Sequence, residues 1–213
     1  MFTWADYIKM FVGILSIVNP LGAIPLFLST TQSQPLKFKN KIANISALTV
    51  GMTLLLSAWL GQIILAFFGI GVPAFRVGGG ILILLMAISM LQARQSLARH
   101  TPAEDEEAQN KVEVGVVPLG IPLMAGPGAI TLVIVEAHQH PGVMNMGILS
   151  LVITTVALSV WIVFRLTARF GNKLSQTEIN IGTRLMGLIL AAIAIEFMAK
   201  GLIDLFPGLG GAL

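Results

Sequence analysis

The chain has 213 residues, of which 55% are hydrophobic and only 11% charged, and its mean hydropathy is +0.87. That is too little polar surface to cover a water-soluble globule of this size, so lipid is the solvent the composition fits. The formal charge of +3 calls for no nucleic-acid partner, and the absence of cysteine removes disulfides, thiolate nucleophiles and thiolate metal sites.

A helix needs about 20 apolar residues to cross a bilayer. Uncharged runs occupy 10–36, 42–75, 77–93, 114–135 and 137–164, and a last apolar segment follows Arg184. They predict an all-α membrane protein with six transmembrane helices near 7–29, 42–68, 73–93, 114–137, 145–165 and 183–206. The first span is not read as a cleaved signal peptide, because MFTWADYIK lacks a basic leading region and the apolar run behind it is long. It carries NPLGAIP at 19–25. Before the second span stands KFKNK at 37–41, a basic cluster suited to anionic headgroups on the cytoplasmic side. Asn44, Thr49, Thr53, Ser57 and Gln62 in the second span, with Thr154, Thr155 and Ser159 in the fifth, read as interhelical contacts, some of which could line a cavity. The third span holds GGG at 78–80, read as a packing face.

Residues 94–113 hold eight of the 23 charged residues and form a solvated linker at the chain's midpoint. It divides a three-helix unit at 1–93 from another at 114–213 within one membrane domain. Lys and Arg fix the orientation: ten of thirteen lie in the first, third and fifth loops, and only Lys9, Arg76 and Lys200 lie opposite. Both termini are therefore expected outside, in the periplasm, with the odd loops cytoplasmic.

The two halves echo each other. NPLGAIP at 19–25 aligns with GPGAIT at 126–131, LSAWL at 56–60 with LSVWI at 158–162, and FRVGGGILIL at 75–84 with TRLMGLILAA at 183–192. Three spans per copy make the copies inverted across the bilayer, the plan of many secondary transporters. The opening of the fourth span, VPLGIPLMAGPGAIT at 117–131, is full of helix breakers. Proline interrupts a helix but suits the first position of a new one, behind a capping Asn or Gly. Asn19-Pro20 and Gly126-Pro127 are thus expected to split the first and fourth spans into half-helices. The second half of each would begin at the midplane with unpaired amides and a positive dipole end. Such donors are costly in hydrocarbon unless they line a wet cavity. Asn19, Pro20, Gly22, Gly126, Pro127, Gly128 and Thr131 are the expected substrate-binding residues, for an anion or a carboxylate on a zwitterion. Plain structural kinking is the other reading.

NPLGAIPLF in the first span, VPLGIPLMAGPGAIT in the fourth, FRVGGGILI in the third and TRLMGLILAAIAIEF in the sixth resemble the signature segments of the MarC family of integral membrane proteins. The resemblance covers nearly the whole chain. It implies a bacterial inner-membrane protein of two inverted three-span repeats, and some members are described as small neutral amino-acid transporters. A homo-oligomer and a coupling ion, H+ or Na+, are compatible with that picture, and no cofactor or metal is implied.

Among ionisable groups within the spans, Glu196 in the sixth is the first candidate for proton coupling, since a carboxyl shielded from water can hold a proton. A plain hydrogen bond to a neighbouring helix is its alternative role. Glu136 near the outer end of the fourth span is the second candidate, or is simply wet beside His138 and His140. Arg76, Arg184 and Lys200 lie close enough to an interface to snorkel as anchors. No nucleophile–base or metal cluster appears within the spans, which argues against an enzyme. A passive channel is the competing class, because broken helices also build pores, and an exporter of small apolar or drug-like solutes is the other alternative.

Overall fold

The computed structural model describes residues 4–31, 34–92, 124–171 and 175–208, all of whose regular elements are helical. Among the described residues seven helices follow in order: α1 Trp4–Val18, α2 Ile24–Thr31, α3 Leu36–Phe67, α4 Val72–Leu91, α5 Pro127–Gln139, α6 Val143–Phe170 and α7 Gln176–Leu205. Four of them, α3, α4, α6 and α7, are long and apolar enough to cross a membrane. The first predicted span is two shorter helices, α1 and α2. Of the fourth, the described part begins at Met124, so Pro118, Gly120 and Pro122 lie outside the described residues, as does the linker 94–113.

Local chemistry sets the ends. The α3–α4 turn closes on Gly69, whose φ of +67° is cheap only without a Cβ. There Ile70 N–H reaches back to the Leu65 carbonyl at 2.9 Å. Helix α7 begins with a capping box: Ser175 Oγ accepts from Thr177 N–H at 3.2 Å, and Glu178 accepts from Ser175 N–H at 3.1 Å. It starts at Gln176, seven residues before the expected 183, because that box supplies the donors' partners. Similarly α3 begins at Leu36 behind Pro35, which places KFKNK on the helix itself rather than in a loop.

Packing joins α3 to α6 and α4 to α7, while α5 lies against α3 and α4, and α1 against α6 and α7. The pairs run antiparallel, and their contacts are reciprocal. In α4, a Cβ added at Gly80 would lie 3.3 Å from the Ala194 carbonyl of α7; one added at Gly187 of α7 would lie 3.2 Å from the Ala87 carbonyl of α4. Trp59 of α3 donates to Ser150 Oγ of α6 at 3.2 Å, and Trp161 of α6 donates to Asn44 Oδ1 of α3 at 2.8 Å. The GGG segment is a packing face in part: Gly79 and Gly80 meet neighbouring helices, whereas Gly78 faces open space.

Asn44 makes the interhelical bond expected of it, but most of the other hydroxyls do not. Ser57, Thr154, Thr155 and Ser159 bond to the carbonyl four residues back in their own helix, at 2.7–2.9 Å. This is the local option Ser and Thr always have in a helix. Outward from the core, Leu48, Met52, Leu56, Ile63, Leu85, Leu151, Leu158 and Leu188 are exposed. Faces so apolar along the long helices match lipid rather than water.

Candidate functional site

The first break is built by Asn19. Helix α1 stops at Val18, and Asn19 takes φ +43°, a left-handed conformation that Asn tolerates better than most side chains. Its N–H still donates to the Leu15 carbonyl at 2.8 Å. Its side-chain Oδ1 accepts from Gly22 N–H at 3.1 Å, three residues on. Gly22 must lack a side chain for this bond to close, since an added Cβ would lie 2.9 Å from Asn19 Cγ. The motif therefore folds as a capped turn over 20–23, and α2 starts at Ile24. The sequence places the new helix at Pro20; the left-handed Asn19 delays it by one turn.

The second break begins as expected. Gly126 is the N-cap of α5, with φ −72° and ψ 179°, and Pro127 opens the helix. The first intrahelical bond runs from Ile130 N–H to the Gly126 carbonyl at 3.1 Å, so the amides before it lack helical partners. Gly126 and Gly128 are buried and Pro127 is exposed.

The breaks are neighbours. A Cβ added at Gly128 would meet Ile17 of α1 at 3.4 Å, and Ile83 and Met86 of α4 at 3.2 Å. Ile17 stands two residues before Asn19. The end of α1 thus meets the start of α5, while α2 packs on α6 through Phe27 stacked on Phe164 at 4.7 Å. Gly128 is also a packing position. Thr131 is buried, its hydroxyl donates to the Pro127 carbonyl at 2.8 Å, and its side chain fills the space left by Gly79.

A second feature lies at one end of α1, α4, α5 and α7. A cavity of about 570 Å³ is lined there by Lys9, Arg76, Glu136, Gln139, Glu196 and Lys200 among others, and by none of the residues at the two breaks. Arg76 does not snorkel. It is 5% exposed, held by Asp204 at 3.6 Å and packed over the Phe197 ring at 5.0 Å. In the carboxamide orientation that satisfies both partners, Gln139 Oε1 accepts from Arg76 Nη2 at 2.9 Å. The reason was present in the pattern: Arg76 precedes the buried Gly79, Gly80 and Ile83 at helical spacing, so it heads the inward stripe of α4.

The glutamates exchange environments. Glu196, expected to be shielded, has a side chain 66% exposed and pairs with Lys200 Nζ at 2.7 Å. The inward stripe of α7 runs through Leu190, Ala194 and Phe197, and Glu196 falls off it. Glu136, expected to be the wetter of the two, has a side chain only 18% exposed, with His140 Nδ1 at 3.6 Å.

Apolar helices with lipid-matched faces, an interrupted first span and a charged cavity at one end define a multi-pass integral membrane protein. The chain belongs to the MarC family: it matches the family described as MarC family integral membrane protein over residues 4–206. It is 39% identical to the UPF0056 membrane protein YhcE of Escherichia coli over 208 residues, 98% of this chain and 97% of that one. It is 32% identical to the UPF0056 membrane protein YvbG of Bacillus subtilis, with 94% and 95% covered. Against the UPF0056 membrane protein MJ1677 of Methanocaldococcus jannaschii the identity is 37%, with 92% and 95% covered. No solved structure matches the chain.

Proposed function

We propose that the chain is a secondary transporter of small neutral amino acids, or of similar small zwitterionic or anionic solutes, across the bacterial inner membrane. The observation that carries this reading is the adjacency of the helix interruption at Asn19–Ala23 and the helix start at Gly126–Pro127, with Ile17 against Gly128 between them. Interrupted helices are tolerated at membrane depth only where they are buried in protein or line a wet cavity, and paired interruptions are a mark of transporter sites. Free amides at the start of α5 suit a substrate carboxylate.

Inverted repeats belong to the same proposal. The reciprocal glycine contacts between α4 and α7, and the crossed tryptophan bonds between α3 and α6, are what a two-fold axis in the membrane plane produces. The first span would then be the counterpart of the fourth, with both termini in the periplasm and H+ or Na+ as the coupling ion. Reconstituted into proteoliposomes, the protein should take up alanine, glycine or serine saturably and in response to an imposed ion gradient. Uptake that rises linearly with concentration and ignores every ion gradient would identify a passive channel instead.

A further inference from the structure

The cavity at the α1–α4–α5–α7 end combines two buried groups of opposite charge with apolar walls. Arg76 is held by Asp204, Gln139 and Phe197, the last two also lining the cavity, yet its Nε is buried without a hydrogen-bond partner. A charged guanidinium N–H buried and unpaired is expensive, and a carboxylate is its natural acceptor. Glu136, one wall away on α5, is also largely buried, with His140 Nδ1 at 3.6 Å from its carboxylate. No ion pair within 4.0 Å joins it to Arg76 among the described residues. The wall also carries Asp6 and Lys9, and Lys200 holds Glu196 at 2.7 Å. Leu132, Ile193 and Phe197 supply apolar surface between the charged groups. The volume lies within the range usual for small-ligand sites, about 300–1,000 Å³.

We propose that this cavity is a receiving site for the zwitterion itself, with the substrate carboxylate on Arg76 and the substrate ammonium on Glu136, at the membrane face opposite the basic loops. The proposal rests on the transport reading above and adds a recognition site to it, distinct from the interruptions. Two fixed opposite charges held apart select solutes that carry both. A solute with only one leaves a buried charge unmatched, which is how polar sites reject analogues lacking a group. The site would load substrate from the periplasmic side, next to α5, whose other end opens at Gly126.

The test is alanine binding to the purified full-length protein, measured by titration calorimetry, alongside propionate, which lacks the ammonium, and alaninamide, which lacks the carboxylate. Alanine should bind and the two analogues should be weaker by at least tenfold. Propionate or alaninamide binding as tightly as alanine overturns the proposal without any mutation. Arg76→Lys and Glu136→Gln should each weaken alanine binding by tenfold or more. Asp204→Asn, which loosens the same anchor behind Arg76 but removes no ligand group, should weaken it by threefold at most. If Arg76→Lys and Glu136→Gln bind alanine as the wild type does, the receiving site is wrong while transport at the interruptions stands. If the wild type binds no alanine, glycine or serine, both this site and the amino-acid cargo are wrong.

Discussion

Thr131 fills the notch that Gly79 leaves in α4: a Cβ added at Gly79 would come within 2.7 Å of Thr131 Cβ and 2.8 Å of its hydroxyl. The contact ties the first turn beyond Pro127 to α4, and it makes the spacing of α4 and α5 depend on a missing methyl group.

Gly79→Ala should therefore push α5 outward and cost about 1–3 kcal/mol of stability, the usual range for overpacking. Thr131→Ala in the same chain should recover part of that loss, because it removes Cγ2 and the hydroxyl from the contact while its own Cβ stays close to the added one. Melting of the four combinations by fluorescence-detected size exclusion checks this. Additive losses would mean that the two residues do not compete for one space.

Asn19 does two jobs, adopting a left-handed backbone and accepting from Gly22 N–H, so its substitutions should separate. Asn19→Gly keeps the backbone freedom and loses only the cap, at a few tenths of a kcal/mol. Asn19→Ala loses both and should cost about 1–2 kcal/mol. Equal melting temperatures for the two variants would show that the turn over 20–23 does not depend on the side chain.

The break in the first span was legible as a break, because a proline between Asn and Gly interrupts any helix. Its position was not. Residue spacing cannot show that Asn19 takes a left-handed conformation and caps Gly22, which moves the start of α2 to Ile24. The start of α5 was legible to the residue, since Gly-Pro sets cap and first position together. Arg76 was misjudged by its nearness to a span end, although the helical period through Gly79, Gly80 and Ile83 marked it as inward. For Glu196, depth in the sequence of a span does not give the face, and the inward stripe of α7 passes it by. The cavity between four helices depends on tertiary packing that no single segment carries.

Trp161 and Asn44 join α6 to α3 at 2.8 Å, near one end of the pair, as Trp59 and Ser150 do near the other. Trp161→Phe and Asn44→Ala should each be mildly destabilising, and a double-mutant cycle should give a coupling of about 0.6 kcal/mol, typical of hydrogen bonds between membrane helices. Coupling indistinguishable from zero would remove this pair from the forces that hold α3 to α6.

Topology can be read with single cysteines, because the chain has none of its own. Phe68 and Val143 end α3 and begin α6 on one face, while Gln34 and Thr177 lie on the other. With ten of thirteen Lys and Arg in the odd loops or on the helix ends that flank them, cysteines at Phe68 and Val143 should react with an impermeant maleimide in intact spheroplasts. Those at Gln34 and Thr177 should react only after lysis. The reverse pattern would invert the protein.

The most direct measurement is alanine uptake into proteoliposomes by the wild type and by Pro127→Ala, normalised to folded protein by melting in the same lipid. Pro127→Ala lets α5 extend back through Gly126 and withdraws amides from the gap beside Ile17, where the paired interruptions lie. The expected result is saturable, ion-dependent uptake by the wild type and at least a tenfold loss in Pro127→Ala, with the melting temperature changed by no more than a few degrees. Normal uptake by Pro127→Ala, or a loss that only follows its loss of folded protein, would show that the interruptions are structural kinks and that no transport site lies between them.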